Sequence, residues 1–433
     1  MSAISRKLNN WSKVFFPIAL LILWLFLGNP NPALVVLPLI VFASGKAMMA
    51  MVAGLTGWGI YNLTGDQKTY SGSLTFFLAA IMSLVLFPML TVFSKLPGWE
   101  DPFGMLVLVE RILLVASIAF CATLAEGLTR NGWGSVTVLL PVAWMLSVWP
   151  GKGTLFIWLL FAIILVFLSL SLLAVRMGWL NGSGAVMAVL LGLLIWTGGG
   201  WQSIVLLFVF FVTGSLVAKL KGNNGRSDAK QGKPRDYLQV ICNGGIAGFC
   251  MAWAGLEFQD PAIPFTLFGV SVAVSTADTW SSEIGLFLNG RVVDIVGLKP
   301  IPKGVSGGIS LKGTIAGAAG AGLIALLAYF LDFSFAWIIF VAGFAGMLLD
   351  SLLGSLFQAK YLLHGEISDI PEPWQREENI EVVTGPTENK PEKPIIIPFK
   401  GRRWVSNDLV NLMSNLIITF ATWILLLILW KGG

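Results

Sequence analysis

Long apolar runs separated by short polar stretches recur along the whole chain. Crossing a bilayer takes roughly 20 predominantly apolar residues. By that measure the pattern predicts about 13 transmembrane helices, near 14–28, 33–55, 72–94, 104–126, 134–149, 154–175, 183–198, 200–218, 237–255, 262–288, 309–330, 335–357 and 408–430. The connections carry an alternating charge. Arg6, Lys7 and Lys13 precede the first run, and Lys68, Arg130 and Arg176 fall in the second, fourth and sixth connections. The eighth connection is rich in base (Lys219 to Arg235), as are the tenth (Arg291, Lys299, Lys303) and the twelfth (Lys390 to Arg403). Odd connections are poor in base, with Lys95 and Lys152 as exceptions. Basic residues mark cytoplasmic loops, so this alternation predicts a cytoplasmic N-terminus and an outside C-terminus. The first apolar run lacks a clear small-residue cleavage site after it, and reads as a signal anchor.

Composition narrows the class. The 433 residues are 56% hydrophobic and 12% charged, with a mean hydropathy of +0.81. A soluble chain would carry about twice that charge fraction. The fold class is therefore an all-α polytopic integral membrane protein, with the lipid bilayer as its first partner and no nucleic-acid partner expected. A single histidine, His364, excludes histidine-based metal sites and triads. Cys121, Cys242 and Cys250 lie in or beside apolar runs without metal-ligand spacing, as core-packing residues do. Two hydrophilic loops, 219–236 and 360–404, fall on the expected cytoplasmic face.

The unusual chemistry lies in the second half. The stretch "STADTWSSEIG" puts Asp278, Glu283 and five hydroxyl side chains at the end of an apolar run. As a helix it places Ser275, Thr276, Asp278, Thr279, Ser281, Ser282 and Glu283 on one broad arc, opposite Ala277, Trp280 and Ile284. Asp278 and Glu283 lie about 140° apart on that wheel, at the two sides of the arc. "MLLDSLLGSLFQ" sets Asp350, Gly354 and Gln358 on one stripe, with Ser351 and Ser355 beside it. "SNDLVNLMSNL" does the same for Asn407, Asn411, Ser414 and Asn415, with Asp408 alongside, and "VICNGG" contributes Asn243. "PKGVSGGISLKGT" supplies Lys303, Ser306, Gly307, Gly308 and Lys312, then small-residue spacing at Gly313, Gly317 and Ala321 that suits helix packing.

This set suits a phosphorylated ligand. Asp278, Glu283 and Asp350 are the candidate Mg²⁺ ligands, since Mg²⁺ is commonly held by one or two carboxylates plus phosphate oxygens. Lys303, Lys312 and the glycine turn would neutralise and cradle phosphate. The asparagines would supply neutral hydrogen bonds. Helix ends with polar residues also occur in secondary transporters, whose sites sit at the midplane. A cytidylyltransferase acting on a lipid phosphate would use similar chemistry.

The ordered motifs "KPRDYLQVICNGG", "ADTWSSEIG", "PKGVSGGISLKGT", "MLLDSLLGSLFQAKY" and "NDLVNLMSNL" resemble the membrane family that contains chloroplast phytyl-phosphate kinase, over about residues 160–433. The resemblance implies a kinase moving the γ-phosphoryl group of a nucleoside triphosphate, CTP by preference, to an isoprenyl monophosphate in tocopherol-type metabolism. It implies catalytic roles for Asp278, Glu283, Lys303 and Asp350. Binding roles follow for Arg235, Asn243, Thr279, Ser282, Ser306, Gly307, Gly308, Lys312, Gln358, Asn407, Asp408, Asn411 and Asn415. The site would face the cytoplasm, at a plasma or thylakoid membrane in a photosynthetic bacterium.

Residues 1–150 resemble, more faintly, the phytol/dolichol kinases that phosphorylate the free alcohol. The resemblance is carried by "GDQKTYSGSLTFF", "LAEGL" with Glu126, and "VTVLLPV". Lys46 stands where that family has an aspartate, and "NGWGS" replaces its Asp-Asn pair. "SGKAMMAMVAGLTG…KTYSGS" also echoes "ADTWSSEIGLFLNG…KGVSGG", as an eroded first copy of a duplicated unit would. The expected organisation is a degenerate domain at 1–150 and a kinase-like domain at 151–433.

Overall fold

A computed structural model describes residues 40–41, 43, 74–85, 106–127, 141–146, 148, 152–220, 234–255, 261–288, 290–363, 366–369 and 400–431. The expected spans at 14–28 and most of 33–55 lie outside these, as do Lys46, His364, the core of the 219–236 loop and most of 360–404.

Eight described helices are long and apolar enough to cross a membrane. They are α1 (Leu108–Gly127), α2 (Gly153–Arg176), α3 (Gly182–Leu220), α4 (Tyr237–Gly255), α5 (Ala262–Phe287), α6 (Leu311–Phe330), α7 (Ala336–Phe357) and α8 (Asn407–Lys431). Their limits follow the apolar runs closely. The runs expected at 183–198 and 200–218 form one element, α3, interrupted at Gly200, whose φ of 65° and ψ of −162° break the helix. Only glycine adopts such a conformation at little cost.

The chain packs as two compact units. One comprises residues up to Gly198 together with Pro234–Val240, and the other comprises Gly199–Lys233 with Ile241–Gly433. The packing boundary therefore falls at the glycine run of α3. The first unit holds an apolar core of Phe76, Leu84, Leu114, Ile118, Leu146, Ile157, Leu160 and Leu193. Phe156 stacks on Trp196 with ring centroids 5.3 Å apart.

In the second unit α5 is the central helix, packed against α6, α7 and α8. Small residues let these backbones approach. A Cβ on Gly317 of α6 would stand 3.0 Å from the Ala277 carbonyl oxygen of α5, and one on Gly320 would stand 3.2 Å from that of Thr276. On the α7 side, a Cβ on Gly343 would meet Ala273 and one on Gly346 would meet Val274. The small-residue spacing of α6 thus serves helix packing, as expected. Hydroxyls inside α5 turn back onto their own helix: Thr266 Oγ1 donates to the Ala262 carbonyl (2.8 Å) and Thr276 Oγ1 to that of Val272 (2.7 Å). Such bonds satisfy polar groups where no water is available. Cys121, Cys242 and Cys250 are buried thiols, in keeping with their packing role.

Between α5 and α6 a two-residue ladder pairs β1 (Val293–Asp294) with β2 (Gly308–Ile309), Asp294 opposite Gly308. Ser310 then caps α6, its Oγ accepting from the Gly313 N–H at 3.1 Å. After α7 comes a hairpin of β3 (Tyr361–Leu363) and β4 (Glu366–Ser368). A bridge pairs Lys360 with Lys400, tying that region to the approach to α8.

Candidate functional site

The polar stripes of α4, α5, α7 and α8 meet at one end of the second unit. Asp350 of α7 is the meeting point. Its Oδ2 accepts a hydrogen bond from Ser414 Oγ of α8 at 2.9 Å. The Asn411 amide, one turn earlier on α8, lies 3.3 Å from the Asn243 side chain of α4. With its nitrogen turned towards Asp350 it donates to the same Oδ2 at 3.2 Å and to the Asn407 carbonyl at 3.0 Å.

Below this layer the helices are locked by a buried network. Asn415 Nδ2 donates to the Ser271 carbonyl (3.0 Å) and to Ser275 Oγ (3.1 Å), and Ser275 Oγ donates to the Asn243 carbonyl (2.7 Å). Thr419 Oγ1 donates to Asn415 Oδ1 at 3.3 Å. Ser271, Ser275, Ser414 and Asn415 are almost wholly buried. These residues form a buried polar floor, and Asp278 and Glu283 lie beyond it towards the C-terminal end of α5.

Asp278 sits three residues beyond Ser275 on α5. Glu283 lies five residues further along the same helix, and Asp350 belongs to α7, which packs against α5. The helical wheel had set Asp278 and Glu283 at the two sides of one arc; the packing adds Asp350 as a third negative group. Among the described residues no three carboxylates converge into a preformed metal cage.

The other expected residues have more varied settings. Thr279 Oγ1 donates to its own helix at the Ser275 carbonyl (2.8 Å), and Ser282 Oγ, which is exposed, donates to that of Thr279 (3.1 Å). Lys303 and Lys312 are exposed in and just after the β1–β2 loop, and Asp408 lies in the first turn of α8. Arg235 belongs to the first unit, where its backbone bonds to Trp179 and Asn181. Gly307 (φ 85°) presses onto α7, since a Cβ there would stand 2.6 Å from Ser355 Cα, and Gly308 pairs in β2. The need for glycine at 307 is thus explained by packing. Ser306 and Gln358 both donate to Asp369, which sequence reasoning did not single out.

A second carboxylate holds this loop. Asp294 is buried, with Oδ1 accepting from Ser355 Oγ and Oδ2 from the Gly297 N–H (2.8 Å). Burial favours its neutral form. The Ser355 and Gly297 donors with Lys360 and Lys400 outweigh that, and hold the carboxyl below its usual range. Lys360 is itself buried; burial and the Lys400 charge push its ammonium below the usual lysine range, against the pull of Asp294 and Asp369. Ser271 was also missed, although its spacing of four from Ser275 puts it on the same face of α5.

The fold and this floor define a class: a polytopic membrane protein with a carboxylate-bearing polar site built from the ends of four helices. The chain belongs to the family described as integral membrane protein DUF92, whose model matches residues 165–419. It is 31% identical over 209 residues to an uncharacterised membrane protein of Methanocaldococcus jannaschii, covering 48% of this chain and 87% of that one. It is 27% identical over 253 residues to Protein PGR of Arabidopsis thaliana (52% of this chain, 81% of that one). With the chloroplastic Protein VTE6 of the same plant it shares 29% identity over 190 residues, covering 42% of this chain and 57% of that one. No solved structure matches.

Proposed function

We propose that the second unit is a membrane-embedded kinase that transfers the γ-phosphoryl group of a nucleoside triphosphate, CTP in the first instance, to an isoprenyl monophosphate such as phytyl phosphate. The observation that carries this reading is the Asp350 carboxylate, with Ser414 and Asn411 on its Oδ2, set among helices that also bear Asn243 and Asp278. The resemblance of five ordered motifs to the phytyl-phosphate kinase family supports it, as does a chloroplast protein among the relatives.

The donor set fits Mg²⁺. Asp278, Asp350 and Glu283 would supply hard oxygen ligands, and phosphate oxygens of the substrates would complete the shell. Bound there, the ion would neutralise charge on the transferring phosphoryl group. The chain's own residues do the remainder. Ser414 and Asn411 fix the Asp350 carboxylate, Asn243 and Asn407 line the approach, and Lys303 and Lys312 bring positive charge from the loop. A phosphate oxygen of the acceptor forms the new bond to the γ-phosphorus as the bond from that phosphorus to the β–γ bridging oxygen breaks, and CDP leaves. The acceptor is already an anion at neutral pH, so no general base is needed.

The test uses purified full-length protein in proteoliposomes with phytyl phosphate and CTP labelled at either the γ or the α position. Lipid labelled from the γ position, and lost in Asp278→Asn, is the expected result. Lipid labelled from the α position identifies a cytidylyltransferase. Label from neither position points to the transporter alternative.

A further inference from the structure

Three donors from two separate elements converge on a single oxygen at the end of α7. The Ser306 N–H (2.9 Å), Ser306 Oγ (2.6 Å) and Gln358 Nε2 (3.2 Å) all point to Asp369 Oδ2. The carboxylate that fills this seat is only half satisfied. Among the described residues Asp369 Oδ1 is buried with no hydrogen-bond partner, and so is Oε1 of Gln358, a side chain only 2% exposed. Asp294, in β1 of the loop that carries Ser306, receives a donor on each of its oxygens. A permanent carboxylate clamp is expected to look like Asp294, because a buried acceptor without a donor is costly. Asp369 looks like an occupant of a seat shaped for a larger anion.

Backbone and side-chain donors aimed at one oxygen beside lysines are the usual elements of a phosphoryl-binding site. Ser306 belongs to the turn that carries Lys303, and the buried Lys360 feels the Asp369 charge. We propose that Ser306 and Gln358 form a seat for a phosphoryl oxygen, held in the resting chain by the Asp369 carboxylate, which a phosphorylated ligand must displace. The identity of that ligand as the nucleotide rests on the reading of the second unit as a kinase; the seat itself does not.

The test measures binding of inorganic pyrophosphate to the full-length protein in detergent by calorimetry, with thermal melting as a check on folding. If the self-ligand holds the seat about nine-tenths of the time, Asp369→Asn and Asp369→Ala should each tighten pyrophosphate about 10-fold. Adding Ser306→Ala to Asp369→Ala should remove that gain. Unchanged or weaker binding in a folded Asp369→Asn overturns the proposal, as does a gain that survives Ser306→Ala. Loss of the fold in both Asp369 variants makes the residue a structural clamp, and overturns it too. Binding is read without turnover. Tighter pyrophosphate in a protein that transfers no γ label keeps the seat and rejects the kinase, whereas normal transfer with no gain in Asp369→Asn rejects the seat alone.

Discussion

Replacing Ser414 by alanine tests whether the polar layer acts as a unit. Ser414 Oγ donates to Asp350 Oδ2 at 2.9 Å, and both residues lie at the junction of α7 and α8. A hydrogen bond to a charged group is worth about 1.5–3 kcal/mol. At about 1.4 kcal/mol per factor of ten, full loss in the transition state lowers kcat/KM by about 10- to 150-fold. Asn411 can reach the same oxygen at 3.2 Å and keep part of the restraint. Ser414→Ala alone should therefore fall at the low end, about 10-fold. Because the two donors share one acceptor, the double variant with Asn411→Ala should lose more than the product of the single losses. Ser414→Thr keeps the hydroxyl and should retain most activity. The assay is transfer of γ-label from CTP to phytyl phosphate in proteoliposomes. Parental turnover in Ser414→Ala, or Ser414→Thr as damaged as Ser414→Ala, refutes the reasoning that Asp350 must be held in place.

Gly317→Leu inserts a side chain where even a Cβ would stand 3.0 Å from the Ala277 carbonyl, so the α5–α6 seam should open at a cost of about 1–3 kcal/mol, read as a lower melting temperature of the purified protein. Asp294 has its folded pKa held below the unfolded value of about 3.9, so its stabilisation is present above that pH and is lost as pH falls through the folded value. Hydrogen-exchange protection factors over 293–309 should fall below about pH 4 in the parent. Asp294→Asn should already show lower protection factors at neutral pH, with little further acid dependence.

Much of the site could be read from periodicity. Hydroxyls and carboxylates recurring at helical spacing marked the face of α5, and the stripes through Asp350 and Asn411 were equally plain. Which stripes meet was hidden, because Ser414 and Asp350 are brought together by packing between α7 and α8. Ser271 escaped notice because one serine within an apolar run is unremarkable; only the Asn415 amide reaching its carbonyl shows that its turn of α5 belongs to the floor. Asp294 and Asp369 carry no local motif at all, and their importance arises from partners 61 and 63 residues away, Ser355 and Ser306. Gly307 had a functional look, in a lysine–glycine turn, yet its close approach to Ser355 is sufficient reason for a glycine.

For the kinase proposed above, depth is the point of contrast with a transporter. At 1.5 Å per residue, Asp278 lies about 14 Å from the C-terminal end of α5 at Phe287, and Asp350 about 10 Å from the end of α7 at Phe357. Ser414 lies about 10 Å, and Asn411 about 6 Å, from the start of α8 at Asn407. Asn243 is about 9 Å into α4. The hydrocarbon core is about 30 Å thick, so its midplane lies about 15 Å from either edge. Asp350, Asn411, Ser414 and Asn243 fall short of that depth and Asp278 comes within about 1 Å of it, with the Asn415–Ser275–Asn243 network as the inner boundary of the layer. A transport site must open alternately to both sides, which would require this buried network to break in every cycle. A lipid phosphate needs only the opposite arrangement: a headgroup at the polar end, a prenyl tail among the helices, and a floor that stays shut.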